Sequence, residues 1–545
     1  MKSVVVLSLG LLLVSCGGGG GGSPSGLRPV ITPTGNTWQP GVFANETVFK
    51  NKCAVPRSGV DINGNAFPDV RGTSFDEKMW LRSWSNDTYL WYDEITDQNP
   101  NNFNTPIDYF GVLKTEERTP SGAAKDNFHF SQSSEEYNSF AQSGTQTGYG
   151  INFSFINNSP PRSLRVSTVE PNTSAANEGV QRGDKLLRIN GIDFINNSDV
   201  DAINEALFPE NANTTTAFVF ERNNGSEFSV NLVSDDFAKS FVNNTNVIDT
   251  VSGRVGYFRF DGFQRPAQTP LIDTFQNFVN QNVTQLVVDL RYNGGGLLAM
   301  ASQLAYMIAG PNQTNNNTFE LLQFNDKYPR VDPVNGNTIR PTPFYEREID
   351  FAAGVFTDQR LPNLGLTKIY VITTENTCSA SEALINGLRG INVEVVQIGG
   401  ATCGKPYGFY PTDNCGTTFF TIQFQGTNDK GFGDYADGFK PKMSPKFDDE
   451  LPGCSVDDDF SNPLGSQQES MLSTALFRIS NGTCPVSVAQ SMAIKSSRAG
   501  QNNSLSNVQN DIAQESSLSI FDPRYRAILL ESTINMPINE KDSNE

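Results

Sequence analysis

The chain has 545 residues, of which 37% are hydrophobic and 18% charged, with a formal net charge of −19 and a single histidine. That length exceeds what one hydrophobic core supports, so roughly three or four domains are expected. The acidic balance, with no basic run to override it, excludes general nucleic-acid binding, which needs clustered lysine and arginine against phosphate. One histidine leaves little room for a Ser-His-Asp arrangement.

The chain opens with Lys2 and an apolar run from Val4 to Val14, shorter than the roughly 20 residues that span a bilayer. The run closes on Leu13-Val14-Ser15-Cys16, which resembles a bacterial lipobox. The resemblance implies a lipoprotein signal peptide over 1–16, with Cys16 lipidated as the mature N-terminus; the alternative is an ordinary signal peptide with a chance cysteine. Gly17 to Gly22 begins a flexible linker over 17–50. No later segment is apolar enough to span a membrane, so the expected location is the cell envelope, periplasmic or cell-surface, held by the lipid. The six other cysteines predict disulfides. Proximity along the chain favours Cys403–Cys415 and Cys454–Cys484, leaving Cys53 with Cys378. Their spacings match no zinc pattern, and neither a metal nor another cofactor is expected.

Residues 51–143 read as an N-terminal helical region. Trp80, Leu81, Trp84, Tyr89, Leu90 and Trp91 recur at helical spacing, which predicts an amphipathic helix over Phe75 to Trp91 that buries an aromatic face as core. A further helix is expected over Pro106 to Lys114. His129, between Phe128 and Phe130, is expected to be structural, the alternative being a Ser-His pair.

Residues 144–236 form the next unit. A glycine-bracketed turn at Gly148-Tyr149-Gly150-Ile151 runs into a strand. A short helix of small residues ends at Gly179, a turn follows at Gly183-Asp184, and a strand closes on Asn190-Gly191. This run resembles a PDZ domain. The resemblance implies capture of peptide C-termini by strand addition, with the amides near Tyr149, Gly150 and Ile151 holding the terminal carboxylate. The alternative is a PDZ fold that only packs, since Ser154 to Pro161 reads as an unusual insertion.

Residues 237–455 alternate strand and helix, which predicts an α/β core. Strands are expected at Val255 to Phe260, Leu286 to Leu290, Lys368 to Ile372 and Val393 to Gly399, with helices over Leu297 to Ile308 and Ser379 to Leu388. Residues 456–545 form a C-terminal extension with one helical run, Glu469 to Ile479, and a polar tail after Cys484.

Ser379 stands at the start of its helix, where the N–H of Ala380 faces any carbonyl that Ser379 attacks. The turn Asn293-Gly294-Gly295-Gly296 follows a buried strand and offers a second oxyanion donor from Gly295 or Gly296. A serine hydroxyl needs a base. Lys405, among Gly404, Pro406, Tyr407 and Phe409, is the candidate, and it must be desolvated to act as a neutral amine. Other readings are a helix cap for Ser379, Ser381 as nucleophile, and Cys378 as a reactive thiol rather than a disulfide or core residue.

Three motifs in order resemble the C-terminal processing, or tail-specific, protease family: Asp289-Leu290-Arg291 with its glycines, Ser379-Ala380-Ser381-Glu382, and Gly399 to Lys405. The resemblance implies a multidomain α+β protein with an N-terminal helical region, a PDZ-like β-sandwich or barrel domain and an α/β, crotonase-like protease core. It also implies a Ser379–Lys405 dyad acting on polypeptide C-termini. Many members carry a glutamine four residues after the lysine to orient it; here Phe409 stands there, so orientation falls to Glu382 or a backbone carbonyl. The alternatives are a catalytically inactive peptide- or ligand-binding lipoprotein on the same fold, and a surface polysaccharide-binding protein.

Overall fold

In the computed structural model, which describes residues 37–119 and 121–485, the aromatic stripe folds as α1 (Ser74–Thr88). A reciprocal cap starts it: the Asp76 amide donates to Thr73 Oγ1 at 3.2 Å and the Thr73 amide donates to Asp76 Oδ2 at 2.9 Å. The helix ends before Tyr89, which turns extended and sends its ring into the main core, where its hydroxyl donates to Asp126 at 2.8 Å. The amphipathic expectation was too shallow. Lys78 and Arg82 are buried as well, the first donating to Phe103 O and the second paired with Asp97. Pro106–Gly111 forms the second expected helix. The signal peptide, Cys16 and residues 17–36 of the linker lie outside the described residues, as does the tail from 486 onward.

The PDZ region begins with β1 (Thr145–Gly148), β2 (Ile151–Asn157), β3 (Ser163–Val169) and β4 (Lys185–Ile189). It continues through α2 (Val200–Leu207), β5 (Thr215–Glu221), β6 (Glu227–Val233) and β7 (Asp235–Ala238). The sheet order is β6-β5-β4-β3-β2, so β2 is an edge strand. Antiparallel pairing of β1 with β7 ties the entry of the chain to its exit. The expected insertion is largely regular: β2 runs on to Asn157 and turns back into β3.

The large domain contains β8 (Val242–Thr250), β9 (Gly253–Phe260), α3 (Gln268–Asn280), β10 (Gln285–Asp289), α4 (Leu298–Ala309) and β11 (Thr318–Phe324). After these come β12 (Lys368–Thr373), α5 (Ala380–Gly390), β13 (Glu394–Gly399), β14 (Phe424–Thr427), β15 (Lys440–Lys442), β16 (Glu450–Ser455) and α6 (Ser470–Asn481). Its main sheet runs β8-β9-β10-β12-β13-β16-β15, parallel except for β8 against β9. Runs such as Leu286-Val287-Val288 are buried because both faces are covered. Leu271, Leu304 and Leu384, from α3, α4 and α5, share one core cluster with Leu286 and Val288, and Met471, Leu472 and Ala475 of α6 share the other with Val287 and Val396. Within the expected C-terminal extension, α6 and Cys484 thus pack against this sheet.

The disulfides are Cys53–Cys415, Cys378–Cys403 and Cys454–Cys484. Only the last matches expectation. Nearness in sequence misled the other two pairings: Cys378 and Cys403 follow the ends of neighbouring strands β12 and β13, while Thr417–Phe420 pairs with Phe130–Ser133 and carries Cys415 back to the N-terminal region.

Candidate active site

Parallel strands deliver their C-terminal ends to one edge of a sheet, where ligands bind in open α/β folds. Here β10 leads into the glycine turn, β12 into the Ser379 loop and β13 into the Lys405 loop. The first two loops are stitched together: the Cys378 amide donates to Asn293 O at 3.0 Å and Ser381 Oγ donates to the same oxygen at 3.1 Å. Ser381 is fully buried in that role, which fits a structural hydroxyl rather than a nucleophile.

Ser379 is 3% exposed and has φ 57° and ψ −108°, a strained conformation for a residue with a Cβ. Such strain is tolerated where surrounding structure holds a turn fixed, and it recurs at functional sites. Ala380 follows as the first residue of α5. Of the two glycine candidates, Gly295 is corrected: its amide already donates to Asn293 Oδ1 at 2.9 Å. Gly296 remains. It adopts φ +136°, and a Cβ there would stand 2.3 Å from Phe263 O, so only glycine lets the turn lie this close to its neighbour.

Glu382 joins the serine to the lysine. Its carboxylate accepts from the Ser379 amide at 2.7 Å, Thr402 Oγ1 at 2.6 Å, and the Gly404 and Lys405 amides at 2.9 Å each. Burial pushes this carboxyl above its ordinary range, against the pull of those four hydrogen bonds. The Cys378–Cys403 disulfide bridges the same two loops. Lys405 is 2% exposed, with Nζ 4.1 Å from the centre of the Phe409 ring and 4.5 Å from that of Phe128. Phe409, at the position of the expected glutamine, thus contacts the lysine as an aromatic face.

A cavity of about 870 Å³ runs from Gly294, Cys378 and Lys405 to Ile151 and Phe153 on edge strand β2 and to Leu207 on α2. Ile151 borders it. Tyr149 does not: its ring is PDZ core, with the hydroxyl donating to Thr216 Oγ1 at 2.7 Å. Gly150 accepts from the Glu170 amide at 2.8 Å. His129 is also core. Its ring nitrogens are 2.7 Å from Phe110 O and 3.0 Å from Thr421 Oγ1, and burial pushes it down to about 4.

Residues 254–409 match peptidase family S41, residues 76–131 the peptidase S41 N-terminal domain and residues 139–207 a PDZ domain. The chain carries the domain set of S41 serine peptidases. It is 28% identical over 175 residues to the carboxyl-terminal-processing protease of Picosynechococcus sp., covering 31% of this chain and 41% of that protein. It is 24% identical over 283 residues to the chloroplastic carboxyl-terminal-processing peptidase 3 of Arabidopsis thaliana, covering 50% and 48%. The chain therefore matches less than half the length of either relative. A solved structure from Bacteroides fragilis assigned to the S41 proteases shares the fold, with 23% identity, a TM-score of 0.55, and coverage of 76% of this chain and 98% of that one.

Within the S41 domain, two features escaped sequence reasoning. Asp289 and Arg291 of the glycine motif are structural: Arg291 is fully buried and pairs with Asp289, Asp458 and Glu469. Asp458 also binds Arg182 of the PDZ domain at 2.7 Å, and Arg182 donates to Tyr292 Oη at 2.7 Å. Glu382 carried a readable signal, since a serine followed three residues later by glutamate is a capping pattern. Glu382 was also one of the two groups expected to orient the lysine; that it does so through the Gly404 and Lys405 amides escaped the sequence.

Proposed function

We propose that the chain is a serine endopeptidase that acts on the C-terminal regions of unfolded exported polypeptides, with Ser379 as nucleophile and Lys405 as base. One observation carries this reading: a single buried carboxylate, Glu382, accepts from the amides of both Ser379 and Lys405, two residues that border one small cavity. The PDZ groove between β2 and α2 takes the chain end, and the large cavity leads the polypeptide toward Ser379. Ser379 Oγ attacks the scissile carbonyl carbon as its proton passes to the neutral amine of Lys405. The Ala380 and Gly296 amides receive the developing oxyanion. The C–N bond then breaks, and Lys405 returns the proton to the departing amine. Water, deprotonated in the same way, frees the acyl group from Ser379.

The lipid on Cys16 would hold this machinery at a membrane surface, and among the described residues no helix is long and apolar enough to cross one. The test is to incubate the purified chain, Ser379→Ala and Lys405→Ala with an unfolded protein. Cleavage by wild type that is lost in both variants is expected. Cleavage that survives in either variant overturns the dyad.

A further inference from the structure

Strand β11 carries Phe319-Glu320-Leu321-Leu322, an acid in an otherwise apolar run. Glu320 is 6% exposed. Its carboxyl lies against Gly426 of β14, where a Cβ would stand 1.9 Å from Oε1, so glycine at 426 is what makes room for the acid. Burial pushes Glu320 up to about 8, with no neighbouring charge or hydrogen bond offsetting it. An acid buried in this way works against folding, and neither the acyl-transfer steps nor the PDZ groove uses it.

Glu320 borders the same small cavity as Ser379 and Lys405. The cavity is about 10 Å³, space for roughly one water, and its walls include Leu298, Ala383, Gly408 and Phe424. A carbonyl attacked by Ser379 Oγ lies beside this opening, because Ser379 is part of its wall. We propose that Glu320 is the specificity-determining floor of the pocket for the residue on the acyl side of the scissile bond, restricting it to glycine, alanine or serine. The inference rests on Ser379 being the nucleophile. The carboxyl fills the depth that an apolar floor would leave to valine or leucine, and a seryl hydroxyl finds a hydrogen-bond partner there. Discrimination in such a pocket runs at roughly 10–200-fold per methylene.

The test uses the full chain, Glu320→Ala, Glu320→Gln and Ser379→Ala on unfolded β-casein, with new C-termini read by mass spectrometry. Wild-type products should end in glycine, alanine or serine. Glu320→Ala should raise products ending in valine or leucine at least tenfold relative to these. Glu320→Gln keeps the volume and should keep the wild-type distribution, which a merely structural role would not require. Thermal melting accompanies each variant; if Glu320→Ala does not fold, Glu320→Thr carries the comparison. Wild-type products ending in large residues, or an unchanged distribution in the smaller variant, overturn the pocket assignment. Cleavage that persists in Ser379→Ala overturns the nucleophile instead, and an inert wild type overturns both.

Discussion

At the residue scale, Glu382 does for the proposed dyad what an orienting side chain on the lysine would do, but through the backbone. Its four hydrogen bonds fix the Ser379 turn and the Lys405 loop against each other. In Glu382→Gln one acceptor oxygen becomes an NH₂ facing donors, and each buried donor left unmet costs about 1–3 kcal/mol. We expect kcat to fall roughly 10–100-fold with KM nearly unchanged; steady-state kinetics showing a raised KM and an intact kcat would refute this. Glu320 gives a prediction about stability. Its value of about 8 in the fold lies above the ordinary glutamate value of about 4.3. The folded chain therefore holds this proton more tightly than the unfolded one. The group's contribution is fully present below about pH 4 and is lost as pH rises through 8, above which the loss levels off at about 5 kcal/mol. Glu320→Gln does not titrate. Urea melts of wild type should weaken relative to this variant between pH 5 and pH 8, and parallel curves would contradict the assignment.

At the scale of elements, the disulfide Cys378–Cys403 closes a loop of 25 residues of sequence separation that contains α5 and β13. Replacing both cysteines by serine removes a constraint worth about 3 kcal/mol. The double variant should still fold, with the other two bridges in place, but with kcat lowered about tenfold and a lower melting temperature, as kinetics and thermal denaturation would report. The elements themselves were legible wherever one physical rule governed them. Leu286-Val287-Val288 and Lys368 to Ile372 announced buried strands because a parallel sheet covered on both faces favours apolar runs there. The Ser379 helix and its glycine turn announced themselves by residue type. Relations between distant segments left no local trace. The partners of Cys53 and Cys378 depend on which strand ends lie side by side. The membership of α6 in the core depends on the under-face of the sheet needing cover. The burial of Glu320 depends on Gly426, on a paired strand, leaving it room, and Gly295 looked equivalent to Gly296 until Asn293 took its amide.

At the scale of the whole molecule, Arg182 links the PDZ domain to the glycine turn. Arg182 binds Asp458 and Tyr292, Asp458 binds Arg291, and Tyr292 and Arg291 lead into the glycine turn that includes the proposed oxyanion donor. Arg182→Ala should leave both folds intact by circular dichroism and lower kcat/KM for an unfolded protein about tenfold. If it weakened only peptide affinity, with kcat unchanged, the PDZ domain would be a docking platform and no more.

The bridge between the serine and lysine loops also gives the molecule a sense of place. In thiol-rich surroundings the bridge is open, and the Ser379 and Lys405 loops are then held together by hydrogen bonds such as those of Glu382 and that of the Cys403 amide to Thr377 O. Oxidation completes the joint. Under the proposed function, cleavage measured with and without a reductant should therefore differ, slower where the bridge is open and restored when it closes.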